Sequence, residues 1–129
     1  MKWKLEDGEK KICDINSEEE LEKCLIDIQR NLKEQNKIVI LVSPTGEFMY
    51  IGISNKYTFL NYHNADDTPP YYSSVGEYED SEEVIEYYLN DYLFEVSMRN
   101  CIIFGTMLLV VKRFFRTGIL PDSIKWEED

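Results

Sequence analysis

From Tyr57 to Met98 the chain runs forty-two residues without a lysine or arginine, yet this stretch holds ten carboxylates and ten of the seventeen aromatics. No other feature constrains the fold as much. Tyr92, Phe94, Val96 and Met98 alternate with Leu93, Glu95 and Ser97, the two-residue period of a strand, so the rings call for a sheet. The carboxylates Asp66, Asp67, Glu77, Glu79, Asp80, Glu82, Glu83, Glu86, Asp91 and Glu95 have no cation within the tract to offset their self-repulsion. Such a surface repels nucleic acid and attracts a basic protein. Tyrosine suits a contact surface, since it buries a large ring with few rotatable bonds and keeps a hydroxyl for hydrogen bonding. The plainer alternative is that the rings fill a core and the charges form a solvated face.

At 129 residues the chain can close one core but not two, so a single domain over 1–129 is expected. Its net charge of −11 would suit a disordered chain, but 43% hydrophobic residues argue for an ordered globule. Met1 to Asp7 lacks the apolar core of a signal peptide, and no apolar run approaches the ~20 residues of a membrane span. A cytoplasmic location without membrane association is therefore expected. Cys13, Cys24 and Cys101 are odd in number and widely spaced, which predicts small buried hydrophobes, neither a disulfide framework nor a zinc site.

Ser17 and Glu20 form an S-x-x-E capping box, and Leu21, Cys24, Leu25, Ile28 and Leu32 recur at helical spacing, which predicts an amphipathic helix over about 17–35. Lys37 to Ser43 and Glu47 to Ile53 read as a hairpin turning at Pro44-Thr45-Gly46, and Tyr57 to Tyr62 as a third strand of an antiparallel meander. His63 to Pro70 reads as an exposed acidic loop, because its proline pair removes donors and fixes the backbone. Tyr71 to Tyr78 and Val84 to Leu89 are expected strands joined by the acidic turn Glu79 to Glu82, and Asn90-Asp91 turns the chain into Tyr92 to Met98. Cys101 to Val111 predicts a buried helix that ends at Gly118, with Pro121 barring continuation. A strand over Ser123 to Trp126 and the acidic tail Glu127-Glu128-Asp129 follow. Together these predict an α+β domain, an antiparallel meander flanked by two main helices.

Chemistry is sparse. The one histidine, His63, lies at a strand end between Tyr62 and Asn64 and reads as a surface residue. No phosphate-cradling glycine loop and no G-x-S-x-G elbow is present, and Asp66-Asp67 lacks calcium-loop spacing. No cofactor, metal or catalytic residue is expected. A pair of carboxylates could serve a small glycosidase-like enzyme, but abundance is not a pair with separated pKa values in a cleft.

The closing segment, with Phe114-Phe115-Arg116-Thr117-Gly118, Pro121 and Ile124-Lys125-Trp126, resembles the ending of the first-numbered immunity-protein family of bacterial polymorphic toxin systems. There a helix ends in an aromatic or aliphatic pair and T-G, and a proline leads to a short strand closing on V/I-x-W. The resemblance implies an α+β protein that binds and neutralises a cognate toxin domain, often a nucleic-acid-directed enzyme such as a deaminase. Gly118 as helix stop, Pro121 as exit and Trp126 as core plug make the motif a fold marker rather than a binding site. The expected toxin contacts come from the acidic tract: Asp66, Asp67, Tyr71, Tyr72, Glu77, Tyr78, Glu79, Asp80 and Glu82. The expected partner is a basic toxin domain, met by a monomer or weak homodimer that binds no nucleic acid and no membrane. The alternatives are the small carboxylate enzyme and an acidic binding subunit of a larger complex.

Overall fold

The computed structural model describes residues 2–78 and 80–129. It opens with a hairpin not anticipated from the sequence, β1 (Trp3–Glu6) paired antiparallel with β2 (Lys11–Ile15). Asp7 shapes the turn: its Oδ1 accepts from the N–H groups of Glu9 and Lys10, each at 3.1 Å, while Gly8 supplies a left-handed φ of 97°.

Helix α1 (Glu18–Arg30) is capped as expected: Ser17 Oγ accepts from the Glu20 N–H at 3.1 Å. Glu20 returns the contact one residue further back, accepting from the Asn16 N–H at 2.8 Å. The helix stops well short of residue 35, because Asn31 donates from Nδ2 to the Asp27 carbonyl at 2.7 Å and caps the end.

Strands β3 (Lys37–Val42), β4 (Phe48–Ile53), β5 (Tyr57–His63) and β6 (Tyr72–Val75) form the antiparallel meander. The last of them is shorter than expected. Gly76 leaves the sheet by donating to the Arg99 carbonyl at 2.9 Å, and its Cα lies so near the Cys101 carbonyl that a Cβ would overlap it. Strands β7 (Val84–Leu89) and β8 (Tyr92–Ser97) form the expected hairpin, with Asn90 at a φ of 54° in its turn. They do not continue the meander. Instead β7 meets the start of β3 through one parallel bridge, Lys37 with Tyr88, strengthened by Asn36, whose Nδ2 donates to the Glu86 carbonyl at 2.9 Å.

The expected helix from Cys101 begins three residues late. Cys101 is buried beside Tyr87, and β9 (Ile102–Ile103) pairs with Tyr57 and Thr58 before α2 (Phe104–Thr117) starts. Nor is α2 buried all round: Met107, Val110, Val111 and Phe114 face inward, while Leu109 is largely exposed. Gly118 ends it with a φ of 73°. Strand β10 (Lys125–Glu128) then pairs antiparallel with β6, two residues later than expected, so the acidic tail is part of the sheet. The main path runs β10-β6-β5-β4-β3-β1-β2.

Both helices pack on one face of this sheet, where Leu21, Leu25, Met107, Val110 and Phe114 meet Leu5, Val39, Leu41, Met49, Ile51 and Leu60. The helices are tied by Lys112 to Glu22 at 3.0 Å and Arg116 to Glu18 at 2.8 Å. The closing motif is structural throughout: Phe114 is edge-on to Trp3 at 5.1 Å, and Trp126 Nε1 donates to the Pro121 carbonyl at 2.6 Å. On the other face β7 covers a second, smaller cluster of Ile38, Phe59 and Tyr87. Tyr87 is fully buried and donates to the Tyr57 carbonyl at 2.9 Å, and burial raises its phenol well above the ordinary tyrosine range.

Candidate functional site

Because β7 covers only part of the helix-free face, a groove of about 380 Å³ stays open beside β8. Its floor is built from the outward-facing side chains of β4 to β6, including Tyr50, Asn61, His63 and Ser73, with Tyr71 just before β6, and its wall from Phe94 to Ser97. Alternation along each strand produces this polar and aromatic floor, since the intervening residues Met49, Ile51 and Leu60 point into the helix-side core.

His63 lies at the centre of the floor and is not the surface histidine anticipated from sequence. Its side chain is only 13% exposed. The ring stacks on Phe48 at 4.7 Å and lies 4.5 Å from Tyr71 and 5.1 Å from Tyr50. Its Nδ1 is 2.8 Å from Asp67 Oδ1 and its Nε2 is 2.6 Å from Asn61 Oδ1. Asn61 Nδ2 in turn donates to Ser73 Oγ at 3.0 Å and to Asp129 Oδ2 at 2.9 Å, which fixes its oxygen toward the ring. Both ring nitrogens therefore face acceptors. A neutral imidazole can donate to only one of them, a charged one to both. Among the described residues no nucleophile is aligned with this pair: Ser73 Oγ donates to Asp129 at 2.7 Å, and the ring meets an amide where a hydroxyl would be needed.

The sequence-predicted contacts fall into separate places. Asp66 and Asp67 are exposed in the loop after β5, with Asp67 at a φ of 53° and the loop folded around the Asn64 side chain. Tyr71 joins them by donating to the Asp67 carbonyl at 3.0 Å, half-buried in the groove. Tyr72 points the other way, paired across the strands with Tyr62 on the helix side. Glu77, Asp80 and Glu82 are exposed beyond the opposite end of β6, where Tyr78 lies edge-on to Tyr57 at 5.5 Å. Glu79 lies outside the described residues. His63, Asn61, Ser73 and Asp129 were missed, because only strand register brings Asp129 beside Tyr71 and Asn61 beside Ser73.

The charges sort in the same way. Among the described residues, the ion pairs of lysine and arginine join Lys4, Lys11, Arg99, Lys112, Arg113 and Arg116 to acids outside the Tyr57–Met98 tract, and Asp67 within the tract lies 2.8 Å from His63 Nδ1. Arg99 holds Glu127 at 2.9 Å, and this guanidinium together with Asn100 lowers the Glu127 carboxyl below the ordinary range. Lys2, Lys4 and Lys11 gather by the β3–β4 turn, the last two held by Glu6 and Asp14. Among the described residues no three His, Cys, Asp or Glu side chains cluster closely enough to hold a metal ion, and no helix is long and apolar enough to cross a membrane.

Residues 9–128 match the family model described as Immunity protein Imm1. The chain belongs to the Imm1 immunity-protein family. The match spans both layers of the fold, from the β1–β2 turn through β10, not only the closing motif. No curated protein matches the chain. For an Imm1 member the natural partner is a toxin.

Proposed function

We propose that this Imm1 protein binds and neutralises a cognate toxin domain in the cytoplasm by laying its carboxylate-rich, helix-free face over the toxin's basic active-site region. The observation that carries this reading is the pairing pattern: among the described residues the ion-paired lysines and arginines hold acids outside the Tyr57–Met98 tract, and Asp66, Glu86, Asp91 and Glu95 are in none of these pairs. Unbalanced charge costs a fold self-repulsion, and a basic partner relieves it. A toxin that acts on nucleic acid must hold a polyanion, so a surface of spaced carboxylates competes for the same groove. Asp66, Asp67 and Tyr71 form one proposed contact group with the groove, and Glu77, Tyr78, Glu79, Asp80 and Glu82 a second beyond β6. Tyr72 is set aside because its side chain faces the helices. The protein acts by steric and electrostatic blockade and does no chemistry of its own.

Expression of the adjacent gene, alone and together with this chain, tests the proposal. Growth arrest alone and recovery with the chain are expected. A neighbour that is harmless alone, or equally toxic in its presence, overturns it.

A further inference from the structure

We infer that the free edge of β8 receives an extended, lysine- or arginine-bearing segment of the toxin as an added strand. This rests on the toxin-binding reading above and specifies how the partner is held.

Among the described residues β8 pairs only with β7, so its outer edge presents unpaired N–H and C=O groups. Edges are normally guarded by lysine, proline, bulges or shortness, and β8 has none of these. It is six residues long, lacks lysine and proline, and keeps continuous register from Tyr92 against Leu89 to Ser97 against Val84. Three consecutive large side chains are exposed on it: Tyr92 at 75%, Leu93 at 46% and Phe94 at 37%. The other edges of the sheet are guarded. Strand β2 carries Lys11 and pairs through a register shift, and β10 carries Lys125 and is only four residues long.

Charge decides between occupants. Glu95 on β8 lies directly opposite Glu86, Asp129 lines the groove, and Asp67 in the neighbouring loop contacts His63 on its floor. A second copy would bring the same carboxylates against these, so self-pairing is disfavoured and a cationic strand favoured. Alternation sets its sequence: one set of side chains drops beside Phe94 onto Tyr50, His63 and Tyr71, and the other emerges beside Glu95. The added strand therefore alternates apolar or aromatic residues with basic ones.

The test is amide hydrogen exchange of the full chain, free and bound to the toxin domain encoded beside it, with affinities of Leu93→Lys and Leu109→Lys variants. Leu109 is exposed on α2, away from the groove. The expected result is new protection over residues 92–97 and an affinity loss of about tenfold or more for Leu93→Lys only. Toxin binding that leaves residues 92–97 exchanging as in the free chain overturns this inference while leaving the neutralising function intact. Concentration-dependent protection of β8 without toxin also overturns it, in favour of a second copy. Absence of any binding overturns both readings.

Discussion

Glu86 and Glu95 stand directly opposite each other across the β7–β8 hairpin, and among the described residues neither has a lysine or arginine partner. Directly opposed like charges destabilise a strand pair, so their placement on this face works against the fold itself. Glu95→Gln should raise stability by about 0.2–1 kcal/mol in urea unfolding and should slow association with the toxin. A loss of stability would mean that the two carboxylates are not in repulsion.

Gly76 ends β6 where the chain passes the Cys101 carbonyl, and a Cβ there would collide with backbone, which cannot turn aside. Gly76→Ala should destabilise the domain by more than about 2 kcal/mol, read as a large fall in melting temperature. At Gly52 a Cβ would meet the Phe59 and Tyr87 rings, side chains rather than backbone, so Gly52→Ala should cost less. Equal effects would contradict this ranking.

The Arg99 guanidinium and the Asn100 amide hold the Glu127 carboxyl below its ordinary range. A depressed folded-state pKa contributes stability that is present above the unfolded value, about 4.3, and is lost as pH falls through the folded one. Glu127→Gln should therefore cost about 1 kcal/mol at neutral pH, a modest figure because solvent reaches the pair, and should flatten the decline in stability below about pH 4. Denaturation at neutral and acid pH would expose an unchanged slope.

Cys13 Sγ lies 3.2 Å from Cys24 Sγ, between β2 and α1, and both thiols are free. Burial first, then the Cys24 thiol, pushes the Cys13 thiol up to about 12 from an ordinary 9.0. Less thiolate forms at mildly alkaline pH, by a factor on the order of a thousand, so Cys13 should react with a disulfide reagent only upon unfolding. Cys24→Ser should raise its rate in the folded protein. Rapid labelling of the native protein would place the thiol in a different environment.

Much of the fold could be read in advance because its signals are local. Ser17 and Glu20, the Pro44-Thr45-Gly46 turn, Asn90-Asp91 and Gly118 each determine backbone within a few residues, and each lies where expected. The Asp7-Gly8 turn is equally local, an aspartate accepting from the backbone N–H groups that follow and a glycine at a left-handed φ. What escaped depends on distant partners. Cys101 to Ile103 looks helical by apolarity, yet Thr58 Oγ1 donates to the Ile102 carbonyl at 2.9 Å and keeps it extended. The hairpin's departure from the meander follows from the burial of Tyr87 against Ile38 and Phe59, which no short window contains. The groove escaped for the same reason: His63 gains its partners from Asn61, Asp67 and, through Asn61, from Asp129.

Stopped-flow association with the toxin domain across a range of salt, comparing the natural chain with an Asp67→Asn/Asp91→Asn/Glu95→Gln variant, tests the central electrostatic claim most directly. The natural chain should associate quickly, with a rate that falls steeply as salt rises, and the variant about tenfold more slowly with a shallower salt slope and a similar fold stability. Equal rates and equal salt slopes for the two proteins would contradict a toxin interface built on these carboxylates.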